Sequence, residues 1–121
     1  MQVTSPDEVR NVVLIGNAGS GKTSLFEQLL KARLVGYRGE KEDAERAAQL
    51  YLASFVTGNT LVNLLDAPGH PDFLGELRAG IRAADAAIFV FSAADGIDGA
   101  AAALWDECSA VKLPRIIALT K

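Results

Sequence analysis

A phosphate-binding loop is the clearest chemical signal in the chain. Eight consecutive residues read GNAGSGKT, and they are Gly16, Asn17, Ala18, Gly19, Ser20, Gly21, Lys22 and Thr23. Their spacing is that of the Walker A pattern. In such a loop glycines let backbone N–H groups converge on phosphate, lysine neutralises the β- and γ-phosphates, and threonine ligates magnesium. The sequence therefore predicts binding of a nucleoside triphosphate with Mg²⁺.

The elements on either side of this loop suit that role. Asn11–Ile15 is a β-branched run typical of a buried strand, and Thr23–Ala32 carries apolar residues at helical spacing. The helix would direct the positive end of its dipole at a bound phosphate. Ser24, in its first turn, is a further nucleotide-binding candidate. A glycine-rich turn arising by chance is the alternative, and the strand–loop–helix context argues against it.

An acidic motif follows a later strand. Asp66 comes directly after the apolar run Leu61–Leu65, and Gly69 lies three residues further on. A carboxylate at the end of a strand beside the P-loop strand can reach Mg²⁺ directly or through water. Gly69 would offer its N–H to the γ-phosphate. Alone, Asp-x-x-Gly is often an ordinary turn, so its position after a strand carries this prediction.

The only histidine, His70, directly follows Gly69. Phosphoryl transfer is catalysed mainly by positioning and charge, so a residue that orients the attacking water is needed. We predict this catalytic role for His70. The alternative is a loop residue without chemistry.

The remaining pattern predicts alternating strands and helices. Leu50–Val56 and Leu61–Leu65 flank Thr57-Gly58-Asn59-Thr60, which favours a tight antiparallel hairpin. Later elements are expected as a helix from Phe73 to about Ala84, a strand over Ala87–Phe91, a helix over Asp98–Lys112 and a strand over Ile116–Leu119. This alternation predicts an α/β fold of three layers, the P-loop NTPase type, with a mostly parallel sheet and antiparallel second and third strands.

Two parts of the chain are not assigned to the site. Val35–Ala48 contains two glycines and a dense charge run, so it forms either a solvated helix or a mobile loop. Trp105 and Cys108 lie at core-like spacing on one helix, and we predict packing rather than redox chemistry for them.

Composition narrows the setting. The 121 residues carry a net charge of −3, which gives no electrostatic footprint for nucleic acid, so no sequence-specific nucleic-acid partner is expected. A single cysteine excludes an internal disulfide and fits a reducing compartment. Met1–Arg10 has no apolar core of a signal peptide, and the apolar region Ala83–Trp105 is interrupted by aspartates. We expect a cytoplasmic protein without a membrane partner.

With these motifs, the chain resembles the GTP-binding domain of translational GTPases, specifically elongation factor G and its elongation-factor-G-like paralogues. The resemblance is carried by RNVVLIGNAGSGKTSLFEQLL, by VNLLDAPGHPDFLGELRAGIRAADAAIFVFSAADGIDG and by LPRIIALTK, together more than half of the chain. The tract DAPGHPDF matches the family pattern Asp-x-Pro-Gly-His-x-Asp-Phe. Residues 1–121 are accordingly expected to form a truncated GTP-binding domain.

The resemblance implies GTP and GDP as ligands, Mg²⁺ as cofactor, and a ribosome that stimulates hydrolysis during elongation or translocation. It places the catalytic histidine of the family on His70. The guanine-reading motif of the family, Asn-Lys-x-Asp, would begin at Thr120 and Lys121, with threonine in place of asparagine. Both residues are therefore nucleotide-binding candidates.

Two departures from the family pattern keep alternatives open. Family members commonly have an aspartate at the position of Gly19, and their first switch supplies a threonine that binds magnesium, whereas Val35–Ala53 contains neither Ser nor Thr. One alternative is a GTP- or GDP-binding module with impaired hydrolysis that acts by docking. The other is a P-loop ATPase or kinase of another branch.

Overall fold

The computed structural model describes residues 2–17, 19–36, 50–69 and 74–120. After a 3₁₀ turn at Pro6–Glu8, the elements in chain order are β1 (Val9–Ile15), α1 (Lys22–Arg33), β2 (Tyr51–Thr57), β3 (Thr60–Asp66), α2 (Leu74–Ala83), β4 (Ala86–Ser92), α3 (Gly99–Ala110) and β5 (Arg115–Thr120). The predicted alternation is confirmed. Most of the Val35–Ala48 stretch and the predicted helix start at Phe73 lie outside the described residues.

The five strands form one sheet in the order β2-β3-β1-β4-β5. Neighbours in the series β3, β1, β4 and β5 pair in parallel, and β2 pairs antiparallel to β3 with Thr57 opposite Thr60. The predicted hairpin of the second and third strands is therefore confirmed. Each parallel connection crosses through a helix, which is the connection that parallel neighbours require.

Helices cover both faces of the sheet, because the central strands are apolar on both sides. On one face α1 packs through Phe26 and Leu30 against Leu14 of β1. On the other face α2 and α3 cover Val13, Ile15 and their neighbours. These three layers confirm the predicted P-loop type of α/β fold.

The core beneath α3 contains the two residues predicted to pack. Cys108 is fully buried, and the Trp105 ring meets Phe89 edge-on with ring centroids 5.1 Å apart. The Arg115 guanidinium lies over the same indole, 4.4 Å from the Trp105 ring centroid. Burial raises the pKa of the Cys108 thiol, so this cysteine is a core residue rather than a reactive one.

A row of polar side chains crosses three strands, at the third residue of β1 and the middle residue of β3, and we call Ser54, Asn63 and Asn11 the amide ladder. Ser54 Oγ donates to Asn63 Oδ1 at 2.6 Å, and Asn63 Nδ2 donates to Asn11 Oδ1 at 2.8 Å. Asn11 Nδ2 then donates to the carbonyl of Ala83 at 3.0 Å. Strand register places Asn63 opposite both partners, so the ladder joins β2, β3, β1 and the end of α2.

At the far side of the sheet, β5 is the edge strand of the described residues. Ile116, Ile117 and Leu119 are 63%, 51% and 72% exposed, and they are distributed over its two faces. No helix in the described ranges is long and apolar enough to cross a membrane.

Candidate nucleotide-binding site

The carboxyl ends of the parallel strands meet at one edge of the sheet. Asp66 closes β3, Thr120 closes β5, and the P-loop leaves β1 between them before it enters α1. Ligands of open α/β sheets bind at this edge. The topology thus gathers predicted site residues that are as much as 100 positions apart along the chain.

The backbone of the P-loop depends on glycine at two points. A Cβ on Gly16 would lie 2.6 Å from Ser20 Oγ and 2.7 Å from the carbonyl of Val90, closer than real Cβ contacts allow. Gly21 has a φ of +90°, in the left-handed region that suits glycine. Within the loop, Ser20 N donates to the carbonyl of Asn17 at 3.0 Å. The first and last glycines of the Walker pattern are therefore required by local geometry.

Lys22, Thr23 and Asp66 form a compact polar cluster at the start of α1. Lys22 and Asp66 are 7% and 4% exposed, and Lys22 Nζ donates to Asp66 Oδ1 as a buried ion pair. Thr23 Oγ1 donates to the other carboxylate oxygen, Oδ2, at 3.0 Å. The cluster forms because β1 and β3 are parallel with Leu14 opposite Asp66, so the carboxylate stands level with the start of the P-loop.

The donor set of this cluster fits magnesium. Mg²⁺ prefers hard oxygen ligands and is usually held by one or two protein groups together with substrate phosphates and water. The Thr23 hydroxyl and the Asp66 carboxylate are such groups, and they already touch each other. Lys22 supplies the positive charge that phosphates require at the same place.

The amino terminus of α1 faces the same edge. Gly21 is its N-cap residue and offers no side chain to the first N–H groups of the helix. Uncapped N–H groups and the helix dipole together attract anions. Lys22 and Thr23 are the first two residues of this helix, so their side chains and the backbone donors address the same region.

Thr120 reaches the P-loop from β5. Its Oγ1 donates to the carbonyl of Ser20 and also lies 3.2 Å from the carbonyl of Phe91. Its side chain comes within 3.4 Å of the place where a Cβ on Gly21 would stand. The family resemblance made Thr120 a candidate for binding the base. Its hydrogen bond to the backbone of the P-loop is a different role, and nothing in the sequence indicated it.

The structure also places the smaller site candidates. Gly69 lies in the segment that leaves β3, and it is half-buried, whereas Gly19 and Ser24 are exposed. Asn17 contacts Asp98, a residue that sequence reasoning treated only as the start of a helix. Ala18, His70 and Lys121 lie outside the described residues.

A P-loop between the first strand and its helix, facing an aspartate on the adjacent parallel strand, defines the class of P-loop nucleotide-binding proteins. Residues 7–121 match the family model described as the elongation factor Tu GTP binding domain. The chain therefore belongs to this family of translational GTPases.

Two relatives illustrate the similarity. An elongation factor G-like protein of Mycobacterium tuberculosis is 45% identical over 130 aligned positions, covering 96% of this chain and 18% of the relative. Elongation factor G 2 of Geobacter metallireducens is 30% identical and covers 100% of this chain and 20% of the relative. The chain thus spans about a fifth of the length of these relatives.

Solved structures share the fold. A crystal structure of a protein from Thermus thermophilus superposes with a TM-score of 0.83 at 34% identity, over 94% of this chain and 19% of that one. Translation elongation factor SelB from Methanococcus maripaludis, in complex with the GTP analogue GppNHp, gives a TM-score of 0.76 over 93% of this chain and 22% of its own. At 22% identity the second likeness concerns the fold alone.

Proposed function

We propose that this chain binds GTP and GDP with Mg²⁺ and hydrolyses GTP as the GTP-binding part of a translation factor. The observation that carries the proposal is the buried cluster of Lys22, Thr23 and Asp66 at the uncapped start of α1. A buried ion pair is a poor way to stabilise a fold, whereas a lysine, a hydroxyl and a carboxylate at a helix N-terminus suit a magnesium-bound triphosphate. Family membership supports guanine as the base.

In this proposal the residues of the phosphate site divide the work. Lys22 binds the β- and γ-phosphates, while Thr23 and Asp66 hold Mg²⁺, Asp66 directly or through water. When bound, Mg²⁺ bridges phosphate oxygens and neutralises the charge that develops on them. Gly69 offers its N–H to the γ-phosphate. His70 orients the attacking water, which is the step that depends on position more than on proton chemistry.

The remaining contacts hold the nucleotide. The backbone N–H groups of the P-loop surround the phosphates, and Ser24 lies in the first turn of the adjoining helix. In sequence, Thr120 and Lys121 correspond to the start of the guanine-reading motif of the family, so we assign them to the base side of the site. We take residues 1–121 as a portion of a GTP-binding domain.

Relatives support a role in translation. Their names include elongation factor G-like protein and, at 29% identity, mitochondrial ribosome-releasing factor 2 of Lodderomyces elongisporus. We therefore propose that the ribosome is the partner that accelerates hydrolysis, in the cytoplasm. Since this chain spans 16% to 20% of such relatives, the activity of the whole protein is part of the proposal.

Single-turnover hydrolysis of GTP, with and without ribosomes, tests the enzymatic proposal. We expect ribosomes to accelerate hydrolysis, and the variant His70→Ala to lose that acceleration while it keeps its affinity for GDP. An unchanged rate with ribosomes, together with normal GDP affinity, would contradict hydrolysis as the function. Competition of ATP against labelled GTP tests the base, because a preference for ATP would contradict the guanine assignment.

A second candidate is a GTP- or GDP-binding module that hydrolyses too slowly to switch and acts by docking. It is favoured by one observation, the absence of Ser and Thr between Val35 and Ala53. Without a threonine that senses the γ-phosphate, GTP and GDP should produce similar conformations. Equal affinity for ribosomes in the presence of GDP and of a non-hydrolysable GTP analogue would favour this candidate.

A further inference from the structure

A side-chain hydrogen bond joins the P-loop to a helix on the other side of β4. Asn17 Nδ2 donates to Asp98 Oδ2 at 2.6 Å, across 81 positions of sequence. Asn17 directly follows the first Walker glycine, and Asp98 is the N-cap residue of α3. Neither residue is assigned to the other by the Walker pattern, which specifies no side chain at the position of Asn17.

The Asp98 end of this bond is fixed independently of the loop. Its second carboxylate oxygen, Oδ1, accepts from the N–H of Ala101 at 2.8 Å, and its carbonyl accepts from the N–H of Ala102 at 3.1 Å. The helix itself is anchored in the core by Ala101 and Cys108. The two carboxylate oxygens therefore have separate tasks, since Oδ1 caps α3 and Oδ2 holds Asn17.

The Asn17 end belongs to the turn that shapes the loop. The carbonyl of Asn17 accepts from the N–H of Ser20 at 3.0 Å, so moving Asn17 moves that turn. Gly19 and Gly21, in or just after the turn, have positive φ angles and little intrinsic preference for one conformation. A side chain fixed from outside thus adds a restraint to this turn, beside the bond from Thr120 to the carbonyl of Ser20.

We propose that Asp98 is a positioning residue, which holds the P-loop through Asn17 and thereby slows the dissociation of bound nucleotide. Asp98 acts through Asn17 and has no contact with phosphate in this proposal. The inference rests on the proposed function, because it presumes a nucleotide in the loop.

The size of the effect follows from the type of bond. A hydrogen bond to a carboxylate is stronger than one between neutral groups, but Asp98 is exposed and water competes for it. Loss of the bond should accelerate dissociation of a fluorescent GDP analogue by roughly three- to tenfold. Stopped-flow chase with excess unlabelled GDP in the presence of Mg²⁺ measures this rate.

Three variants isolate the pair. Asn17→Ala removes the donor, and Asp98→Ser removes Oδ2 while it leaves one oxygen that caps α3 well. Each should accelerate dissociation, and the double variant should be no faster than the faster single variant, because both remove the same bond. The proposal would be overturned if the two substitutions accelerated dissociation independently, so that their factors multiplied in the double variant. It would also be overturned if the single variants released nucleotide at the wild-type rate.

Two further substitutions separate positioning from helix capping. Asp98→Ala removes the cap as well, so it should unfold at a lower temperature than Asp98→Ser but release nucleotide at the same rate. Asp98→Asn should restore a rate close to wild type, since its amide can cap α3 with oxygen and donate to a flipped Asn17. Dissociation that follows thermal stability across these variants would mean a structural role only.

The control is Glu107→Ala, at the other end of the same helix. Glu107 accepts two hydrogen bonds from Arg78 and is partly exposed, so the variant also removes a polar link of α3. Its dissociation rate should equal that of the wild type. If the wild type binds no GDP, the proposed function fails and this inference with it, whereas normal binding with unchanged variants overturns this inference alone.

Discussion

The charged cluster at the carboxyl ends of the parallel strands and the amide ladder further back along the same strands have opposite character. At the carboxyl ends, Lys22 and Asp66 form a buried ion pair beside a hydroxyl and an uncapped helix. Three residues before Asp66 in β3, the amide ladder joins Asn63 to Asn11 and Ser54 through neutral groups, and each link is a hydrogen bond within the protein. The cluster at the strand ends concentrates charge, and the amide ladder satisfies its polar groups through bonds within the protein.

This difference separates function from stability. Paired neutral amides cost little to bury and tie strands together. A buried charge pair loses the hydration of both ions and is often no better for stability than apolar residues. We therefore expect substitutions in the charged cluster to change nucleotide binding and substitutions in the amide ladder to change stability.

The largest effect is expected from Lys22→Ala. Loss of the charge that faces phosphate should weaken binding of GDP and GTP by about 100-fold or more, from charge-assisted contacts of about 3 kcal/mol. Titration with a fluorescent GDP analogue measures it. Lys31→Ala, at the exposed end of the same helix, is the control and should bind as the wild type does. If Lys22→Ala binds the GDP analogue within about threefold of the wild-type affinity, the charged cluster does not serve nucleotide binding.

Asn63→Leu tests the amide ladder. The change leaves Asn11 and Ser54 without their partner and should lower the free energy of unfolding by about 1–3 kcal/mol. Urea denaturation measures the loss, and GDP affinity should stay unchanged when the protein is folded. The exposed amide Gln28, changed to alanine, provides the control with a loss below about 0.5 kcal/mol. A loss of affinity in Asn63→Leu as large as that of Lys22→Ala would show that the amide ladder also determines nucleotide binding.

Thr120→Val sharpens the comparison, because Thr120 is at the carboxyl end but bonds only to backbone carbonyls in the described contacts. The isosteric change removes a donor worth about 1 kcal/mol. We expect nucleotide dissociation to accelerate a few-fold, with a small loss of stability. Thr120→Ser keeps the hydroxyl and should behave as wild type. Identical behaviour of the valine and serine variants would contradict a role for the Thr120 hydroxyl in holding the P-loop.

The smallest effect concerns Cys108, a residue of α3 that lies in the core and belongs to neither polar cluster. Because burial raises the pKa of its thiol above the ordinary 9.0, the folded state keeps its proton to higher pH than the unfolded state does. Its contribution to stability is therefore complete below the unfolded pKa and is lost as pH rises through the folded pKa. Urea denaturation at increasing pH should show a steeper decline above about pH 9 in the wild type than in Cys108→Ala. Parallel declines would contradict this.

Sequence alone predicted the architecture because its signals are local. The hairpin of β2 and β3 is set by a four-residue turn, and once the turn is fixed, Ser54 must face Asn63. Asp66 comes to the P-loop because it ends a strand beside β1, and strand ends of a parallel sheet share one edge. These features need only periodicity, turn chemistry and strand adjacency.

The missed contacts depend on information that periodicity does not contain. Asn11 faces Asn63 only in one register of β1 against β3, and no short turn sets the register of parallel strands. The bond between Asn17 and Asp98 requires a particular side-chain direction at a helix cap, 81 residues away. The Thr120 hydroxyl could have reached solvent instead of Ser20. Each of these depends on tertiary packing rather than on local sequence.

The exposed edge of β5 also bears on association between molecules of this protein. An edge strand whose outer side pairs with no other described strand, and which has isoleucine or leucine side chains on both faces, can serve as a template for association between molecules. We therefore expect molecules of this polypeptide to associate increasingly as its concentration rises. Kinetic measurements should therefore be made at low protein concentration. There, pairing of β5 between molecules interferes least with nucleotide binding at the carboxyl ends of the strands.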